Sequence, residues 1–358
     1  MRVRIGVIGA GEYGQIHLNL YKELERVGIT KLVALAARTP DTIAKMRAAF
    51  GVRGYTDYMQ MLSKETLDAV AVVTPDHLHR DMVCAAAQRG IHILVEKPMD
   101  VTTAGCQLMI DAARDNNVLL QVDFHKRFDP HLRAVKKAID DGEIGRVQYG
   151  YGCMEYMLIT SIPNLARWIG DTSPSWLLGI HFYDLFNWLT GDDPVRVYAT
   201  AVRRKLKSEG RDVLDSVQVK LEYAGGASFA LDVCWILPKS FESRVNQQLR
   251  LIGDDGIVEV DLQDRGLRIA SGRNRSMAVN PDYLLSGTAA GGVSTSGYAV
   301  DSIRNFVDNV RLVKDGMEPT ALNGSYVSGI DGLKATAIAE AVDRSVLQSE
   351  PVAVSKCW

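Results

Sequence analysis

Three glycines near the start of the chain have the spacing of a phosphate-binding turn. Gly9, Gly11 and Gly14 form a G-x-G-x-x-G pattern between an apolar, β-branched run and a helical pattern that starts at Gln15. The first glycine permits a tight turn, the second lets the backbone approach a pyrophosphate, and the third lets helix and strand pack closely. The N–H groups at the helix N-terminus favour the phosphate charge. The pattern indicates a dinucleotide site rather than an ordinary strand-to-helix turn, and it predicts as cofactor contacts Gly9, Ala10, Gly11, Glu12, Tyr13 and Gly14.

The residues after the second predicted strand indicate which dinucleotide fits. An acidic residue that bonds the ribose 2′-hydroxyl of NAD is expected about 20 residues after the glycines. Ala37 and Arg38 stand at this point instead. Without a carboxylate nothing repels a 2′-phosphate, and a guanidinium can bind one. We therefore predict NADP, with NAD as the alternative if Arg38 is only a solvated surface charge.

Lys97 has the type and position of a catalytic residue. It follows the apolar run Ile91–Val95 and stands directly before Pro98. Open α/β sheets bind their ligands at the carboxyl ends of parallel strands, and a following proline keeps a residue out of the α region and stiffens the turn. A lysine before a proline is usually a surface residue, but this position favours a catalytic ammonium.

A second candidate, His181, lies on a predicted helix over residues 173–191. Ser173 and Pro174 are typical of the helix start and Gly191 of its end. Asp184 lies three residues after His181, so its carboxylate could orient the imidazole. A lone histidine on such a helix is otherwise a core residue, so the helix alone leaves its role open.

The elements that position these residues follow two patterns. Through residue 122, short apolar runs alternate with helical stretches, which predicts a doubly wound parallel sheet of the Rossmann type. From about residue 126, longer alternating runs between turns predict a large, mostly antiparallel open sheet. We expect a Rossmann domain over 1–125 and an α+β domain over 126–358, with one sheet face buried in a homodimer or homotetramer. The glycine- and serine-rich segment 286–297 is predicted to be a surface or lid loop.

Composition excludes several other classes of protein. The chain has 358 residues, a net charge of −2 and 47% hydrophobic residues, which fits two globular domains without affinity for nucleic acid or an anionic membrane. Its five cysteines form no C-x-x-C pair, so we expect reduced thiols in the cytoplasm and no metal site. No apolar run approaches the roughly 18 residues of a membrane span, and Met1 leads directly into the first strand, which leaves no room for a signal peptide.

Taken together, these segments resemble the Gfo/Idh/MocA oxidoreductases, named after glucose–fructose oxidoreductase, inositol dehydrogenase and a rhizopine-catabolism protein. The resemblance rests on GAGEYG at 9–14, TPDHLH at 74–79, EKP at 96–98, KRFDP at 126–130 and GIHFYDLFNWLTG at 179–191. It implies an N-terminal Rossmann domain that carries NAD or NADP, and a C-terminal α/β domain whose open sheet forms dimers or tetramers. The substrates that it implies are sugars, inositols and related polyols.

The resemblance also implies roles for individual residues. Lys97 falls on the family's catalytic lysine and His181 on its active-site histidine. Many members carry an aspartate four residues before that histidine, where this chain has Leu177. Either Lys97 and His181 suffice, or another group substitutes, the candidates being Tyr156, Tyr183 and Asp184. The residues that the resemblance places along the cofactor are Thr74, Pro75, His79, Glu96 and Lys97.

The implied reaction is hydride transfer between the nicotinamide and a hydroxyl or keto carbon of a sugar. His181 would take the hydroxyl proton as general base, and Lys97 would hydrogen-bond the same oxygen. Two alternatives remain: a glycosidase that oxidises and re-reduces its sugar with a tightly held NAD, and a non-catalytic regulator that binds a dinucleotide. The predicted substrate contacts are Lys97, Arg127, Tyr156, Arg167, Trp168 and His181.

Overall fold

The computed structural model describes residues 1–162, 166, 169–270, 277–280, 282–287 and 293–358. The chain divides into two compact units. The first unit is Met1–Asp129 with Asp282–Leu333, and the second is Pro130–Pro281 with Lys334–Trp358. The predicted boundary after residue 125 is close to the first crossing. The prediction that everything beyond it belongs to the second domain is wrong, because Asp282–Leu333 return to the first unit.

The first unit contains a six-stranded parallel sheet in the order β3-β2-β1-β4-β5-β6. Its strands are β1 (Val3–Ile8), β2 (Thr30–Ala36), β3 (Arg53–Tyr55), β4 (Ala69–Val72), β5 (His92–Val95) and β6 (Leu120–Val122). The helices that alternate with them are α1 (Glu12–Arg26), α2 (Pro40–Phe50), α3 (Tyr58–Lys64), α4 (His79–Ala87) and α5 (Thr103–Asp115). This order and alternation confirm the predicted Rossmann sheet.

The second unit is built on a mixed sheet. Its long strands are β7 (Val147–Met157), β8 (Pro194–Val202), β9 (Ser216–Tyr223), β10 (Ser228–Leu237), β11 (Val245–Gly253) and β12 (Ile257–Asp261). The helices are α6 (Pro130–Asp140), α7 (Ile180–Thr190) and the short α8 (Lys205–Ser208). Strands β13 (Arg268–Ile269) and β14 (Met277–Ala278) form a separate ribbon. The pair β7–β10 is parallel and its neighbours are antiparallel, which confirms a mostly antiparallel sheet.

The segment that returns to the first unit begins with a hairpin. Strands β15 (Leu284–Gly287) and β16 (Val293–Ser296) pair antiparallel, so the flanks of the predicted lid loop are sheet and the loop prediction is wrong for them. Backbone N–H of Thr295 donates to Glu23 of α1 at 2.7 Å, which fixes β16. Helix α9 (Tyr298–Lys314) follows, and its apolar stripe packs into the core with β1 and α1. This stripe is the physical reason that the segment belongs to the first unit.

Helix α10 (Gly329–Gln348) begins in the first unit and ends in the second. Strand β17 (Val352–Ala353) then pairs with β8 and completes a seven-stranded sheet in the order β12-β11-β7-β10-β9-β8-β17. Among the described residues, none of the helices combines the length and the hydropathy of a membrane-spanning segment. All five cysteines are free thiols; Cys106 and Cys153 are buried, and Cys357 is exposed.

The two faces of the mixed sheet differ in polarity. One cross-strand row points into the core and contains Gly150, Phe229, Leu221 and Val197. Phe186 of α7 stacks on Phe229 with ring centroids 4.3 Å apart, so this helix covers the apolar face. The next row lies on the opposite face and contains Arg250, Tyr151, Ala230, Lys220 and Tyr198.

Candidate active site

The glycine turn joins β1 to α1 at the carboxyl end of the parallel sheet. Gly9 has a φ of +107°, and a Cβ there would lie 1.9 Å from the carbonyl oxygen of Val73. A Cβ on Gly14 would lie 2.4 Å from the Gly9 carbonyl oxygen, which explains the close packing of helix and strand. No atom lies within 4 Å of a Cβ on Gly11, which precedes the first residue of α1. This open space at a helix N-terminus fits the pyrophosphate of a dinucleotide.

The end of β2 lies against this turn. The backbone N–H of Gly9 donates to the carbonyl of Ala36, the last residue of β2, at 2.9 Å. Ala37 and Arg38 follow, and Arg38 is exposed. Thr39 then caps α2 by accepting a hydrogen bond from Thr42 N–H at 3.3 Å. The end of β2 is therefore followed by Ala37 and an exposed arginine, where a carboxylate would mark an NAD site.

His79, a predicted cofactor contact, ties two loops together in the structure. It is fully buried, its Nδ1 lies 3.0 Å from the carbonyl oxygen of Pro98, and its Nε2 lies 2.8 Å from that of Thr74. Both ring nitrogens are thus engaged by the backbone. The side chain ties the loop after β4 to the turn after β5. Thr74 and Pro75 remain partly exposed in the loop.

Lys97 lies immediately beyond β5. The N–H of Glu96 donates to Val72 of β4 at 3.0 Å, so sheet pairing continues to the residue before the lysine. The Lys97–Pro98 peptide bond is cis. Burial lowers the pKa of Lys97, whereas the carboxyl groups of Glu96 and Asp76 oppose this shift. An ammonium with a lowered pKa at a strand end suits proton and hydrogen-bond chemistry.

A buried polar cluster contains Glu96, the residue before Lys97. His17 comes from α1, Glu96 follows β5 and Asp123 follows β6, and all three are buried. His17 Nε2 lies 3.5 Å from Glu96 Oε1 and 3.8 Å from Asp123 Oδ2. Burial raises the pKa of Glu96 to about 7 and lowers the pKa of His17 to about 4. Burial, with the nearby Glu96, raises the pKa of Asp123 well above its usual range.

Sequence reasoning missed His17 and Asp123. Asp123 carried a usable signal, since it follows a buried strand just as Glu96 does, and the carboxyl ends of parallel strands meet at one edge. His17 carried none, because it stands among the buried residues of an amphipathic helix.

An aromatic stack was also missed. The His125 ring lies between Tyr13 and Tyr298, with centroids 6.2 Å and 5.9 Å away and interplanar angles of 29° and 27°. Tyr13 belongs to the glycine turn, and Tyr298 is the first residue of α9. The turn is therefore braced by the segment that returns from the end of the chain.

Arg127, a predicted substrate contact, forms an ion pair within the first unit. Its guanidinium donates to Asp331 of α10 at 2.9 Å, and only 11% of the Arg127 side chain is exposed. Asp331 also accepts from the N–H and hydroxyl of Ser328, both at 2.7 Å. These contacts tie Arg127 to the start of α10, and its role as a substrate contact stays a prediction.

His181 lies in the second unit, buried on α7. The helical path before it widens into a π-helical turn over Ser175–Gly179, a feature found at many functional sites. Leu177, on this turn, packs against an apolar cluster that contains Ile159, Ile162 and Trp235. The position where the family often has an aspartate is thus part of an apolar contact.

The other predicted groups near His181 differ in their surroundings. The Tyr183 hydroxyl is buried and lies 2.8 Å from Ser175 Oγ. Asp184 is buried, and its carboxylate contributes to a raised pKa of Tyr223, after burial itself. Tyr156 is half-buried, with the Arg244 guanidinium 5.6 Å from its ring centroid. Arg167 and Trp168 lie outside the described residues.

Comparison with known proteins identifies the family. Residues 3–124 match the Gfo/Idh/MocA oxidoreductase family with its NAD-binding Rossmann fold, and residues 132–259 match a C-terminal domain of the same family. Inositol 2-dehydrogenase of Rhizobium meliloti is 30% identical over 99% of this chain and 100% of its own. The chain belongs to the Gfo/Idh/MocA family.

Other members agree with this assignment. D-apiose dehydrogenase of Paraburkholderia graminis is 29% identical over 98% of this chain and 89% of its own. A crystal structure of scyllo-inositol dehydrogenase from Lactobacillus casei, with NAD(H) and scyllo-inositol bound, has the same fold, with a TM-score of 0.79 and 18% identity over 99% of this chain and 100% of that one. Gfo/Idh/MocA membership confirms the predicted class of enzyme, an oxidoreductase acting on CH–OH groups with a nicotinamide dinucleotide.

Proposed function

We propose that this Gfo/Idh/MocA protein is an NADP-dependent dehydrogenase or reductase of a sugar, inositol or sugar derivative. The observation that carries the proposal is the arrangement of the first unit. The open glycine turn follows β1, the exposed Arg38 follows β2 and Lys97 follows β5, so all three lie at the carboxyl ends of strands of one parallel sheet. The named relatives are dehydrogenases, and neither the glycosidase nor the regulator alternative gains support from them.

The preference for NADP rests on Ala37 and Arg38. A carboxylate after β2 would repel a 2′-phosphate, and this chain has a methyl group and a guanidinium there. Arg38 is exposed and stands between the end of β2 and the cap of α2, so it is available to a phosphate beside the glycine turn. A planar guanidinium binds such a phosphate through two parallel hydrogen bonds.

In the proposed reaction, the dinucleotide supplies the hydride chemistry when it is bound. Lys97 donates a hydrogen bond to the substrate oxygen and so stabilises alkoxide character as the C–H bond breaks. His181 takes the hydroxyl proton in oxidation and returns it in reduction. The half-buried Tyr156 and Leu177 suit the C–H face of a sugar ring, which is apolar.

The test is an assay of nicotinamide absorbance at 340 nm with a panel of sugars, inositols and their keto forms. We expect turnover with NADP to exceed turnover with NAD. Replacement of Lys97 by Ala should lower kcat about 10²–10⁴-fold, the usual contribution of an acid–base group, whereas Lys45→Ala, at an exposed helix position, should not. Unchanged turnover in the Lys97→Ala variant would refute the assigned role.

Arg38→Ala isolates the choice of cofactor. We expect it to lower kcat/KM for NADP about 10–100-fold, because one charge-assisted contact contributes about 1.5–3 kcal/mol. The kcat/KM for NAD should stay within a factor of two or so. Equal losses with both cofactors would show that Arg38 does not read the 2′-phosphate.

We also propose that one face of the mixed sheet, the face opposite α7 that carries Tyr151 and Tyr198, binds a second copy of the chain in the cytoplasm. Tyr149, Tyr151 and Tyr198 are exposed on this face, which is unusual for an isolated sheet. Light scattering of the purified protein should give a dimer or tetramer, and Tyr198→Glu should shift it toward monomer. A wild-type monomer at micromolar concentration would contradict this proposal.

A further inference from the structure

The buried cluster of His17, Glu96 and Asp123 has no role in the proposed reaction, yet its polar atoms converge. Its members come from three separate elements, α1 and the ends of β5 and β6. His17 Nε2 lies 3.5 Å from Glu96 Oε1 and 3.8 Å from Asp123 Oδ2. One nitrogen or oxygen atom of each residue can therefore face a common centre.

The separations of these atoms indicate what such a centre would hold. They are too long for hydrogen bonds, whose donor and acceptor atoms lie about 2.7–3.2 Å apart. Two ligands of one tetrahedral metal ion lie about 3.3–3.6 Å apart when the metal–ligand bonds are about 2.0–2.2 Å long. The pair of His17 and Glu96 fits this range, and a shift of a few tenths of an ångström brings Asp123 into it. The spacing is thus close to that of ligands around a shared ion.

The hydrogen bonding of the cluster is an independent observation. Among the described residues, no hydrogen-bond partner is found for His17 Nε2, Glu96 Oε1 or Asp123 Oδ1. The three side chains are nine-tenths or more buried, so bulk water does not satisfy these atoms. A buried polar atom without a partner destabilises the fold, and three such atoms on facing residues point to one ligand that serves them all.

The surroundings of His17 are those of a metal-ligating histidine. Its Nδ1 lies 3.2 Å from the Tyr21 hydroxyl. A ligating histidine usually engages its second ring nitrogen in this way, which fixes the tautomer and the orientation of the ring. When Nδ1–H donates to Tyr21, the lone pair of Nε2 points toward the carboxyl groups of Glu96 and Asp123. Acceptors then face each other, and a cation between them removes the repulsion.

A proton shared by Glu96 and Asp123 is the competing occupant of the cluster. It would join two carboxyl oxygens but would leave His17 Nε2 without a partner, because this atom is 3.5 Å and 3.8 Å away from them. A divalent cation accepts lone pairs from all three residues. Its charge also balances two carboxylates, so that no net charge remains in the core. The observations therefore favour the cation.

We propose that His17, Glu96 and Asp123 bind one divalent transition-metal ion, for which Zn²⁺ is the best fit to an imidazole and two carboxylates. The fourth tetrahedral position is left to a water molecule. The ion ties the helix after the glycine turn to the carboxyl ends of β5 and β6, and it adds no step to hydride transfer. This site departs from the expectation of no metal, which rested on cysteine spacing, because its ligands come from three distant segments.

The first experiment is elemental analysis of the full-length protein, purified without chelators and transferred into metal-free buffer. We expect about one equivalent of transition metal per chain. After treatment with EDTA, added Zn²⁺ should restore one equivalent and raise the temperature of thermal unfolding, because the ion binds the folded state. A protein that is purified without metal and takes up none from micromolar Zn²⁺ would overturn the proposal in favour of the shared proton.

Two substitutions remove one ligand each with little change in volume. Asp123→Asn and His17→Gln should each weaken Zn²⁺ binding at least about 100-fold, the upper end of what the loss of an indirect contact to a metal causes. Competition with a chromophoric chelator measures this affinity. Unchanged affinity in both variants would overturn the proposal.

Two other buried residues of the first unit provide matched controls. Glu65 bonds the Tyr55 hydroxyl and pairs with Arg53, and His92 accepts from the Leu119 N–H at 3.0 Å. Glu65→Gln and His92→Gln should keep one equivalent of Zn²⁺ with unchanged affinity. Equal losses in the controls and in the ligand variants would show that the metal is not held by this cluster.

The second experiment keeps all three ligands and therefore remains decisive if the ligand variants fail to fold. Tyr21→Phe removes only the group that orients His17 and should weaken Zn²⁺ binding roughly 10–100-fold. Tyr183→Phe, at a buried tyrosine of the second unit, should not.

Co²⁺ in place of Zn²⁺ gives a spectroscopic readout of the same site. The wild-type protein should show the intense visible absorption of tetrahedral Co²⁺, and a spectrum like that of Co²⁺ in water would overturn the proposal. None of these measurements uses turnover. A substrate panel without activity would refute the proposed function, whereas metal content and the Co²⁺ spectrum would still decide this inference.

Discussion

The two units hold their candidate catalytic residues by different means. In the first unit, backbone geometry places Lys97: the pairing of Glu96 with Val72 fixes the residue before it, and His79 bonds the carbonyl of the next residue, Pro98. In the second unit, side-chain packing places His181: its helix α7 follows a π-helical turn on which Leu177 packs against an apolar cluster. Backbone hydrogen bonds tolerate many side chains, whereas packing depends on each one.

This difference leads to opposite sensitivities to substitution. In the first unit, the free energy of unfolding should fall most where a new Cβ meets the backbone. It should change little at other positions of the same turn. The second unit should respond in a graded way to the volume and polarity of the side chain. The following substitutions test this contrast.

The largest effect is expected for Gly9→Ala. The Cβ would meet the Val73 carbonyl at 1.9 Å in a left-handed conformation, so we expect a loss of about 3 kcal/mol or more in the free energy of unfolding. Gly11→Ala is the matched variant, since its φ of −68° suits alanine and no atom lies within 4 Å. It should keep its stability but bind NADP at least about tenfold more weakly.

Urea unfolding and fluorescence titration with NADPH measure the two quantities. If Gly9→Ala unfolds like the wild type, the backbone of the first unit is more pliable than its contacts imply. If Gly11→Ala keeps full affinity, the dinucleotide does not approach that residue.

An intermediate effect is expected for Leu177 in the second unit. Leu177→Ala should lower the free energy of unfolding by about 1–2 kcal/mol. This is less than for a fully buried leucine, because the side chain is only partly buried. Leu177→Asp places a carboxylate in the apolar cluster and should lower the free energy of unfolding by about 2–3 kcal/mol. It should also lower turnover. Thermal unfolding and the 340 nm assay check both. Higher turnover in Leu177→Asp would show that an aspartate at this position assists the reaction and that the apolar packing of Leu177 does not take over its role.

The smallest effect is expected at Asp193, near the end of α7. It accepts from Lys334 and Lys356 at 2.7 Å and from Trp358 Nε1 at 3.0 Å. Asp193→Asn should lower the free energy of unfolding by about 1 kcal/mol, which is what a partly exposed ion-pair network usually contributes. Its Lys334 and Lys356 partners lower the pKa of Asp193, so the contribution is present above the ordinary carboxyl range and is lost as pH falls through the lowered value.

Unfolding at pH 7 and at pH 3 measures this dependence. The difference in the free energy of unfolding between wild type and Asp193→Asn should be smaller at pH 3 than at pH 7. A difference that stays constant would mean that shape rather than charge fixes the C-terminal residues, as packing does around His181.

The features that could be predicted from the sequence are those that depend on the spacing of neighbouring residues. The glycine turn, the strand that precedes Lys97 and the Rossmann alternation follow from local patterns, and the structure has them where expected. The sequence did not predict contacts between distant segments. The ion pair of Arg127 with Asp331, the engagement of His79 and the convergence of His17 on Glu96 depend on tertiary packing that no local periodicity encodes. The same limit hid the return of Asp282–Leu333 to the first unit.

That return has a consequence for synthesis on the ribosome. The parallel sheet is complete when residue 129 has been made, but α9, whose apolar stripe closes its core, emerges almost 200 residues later. At roughly 5–20 residues per second, the nascent chain waits on the order of 10–40 s with this apolar surface uncovered. During that interval the second unit is synthesised in full except for its last helix and strand. Chaperone binding to the nascent first unit is therefore expected until α9 has left the exit tunnel.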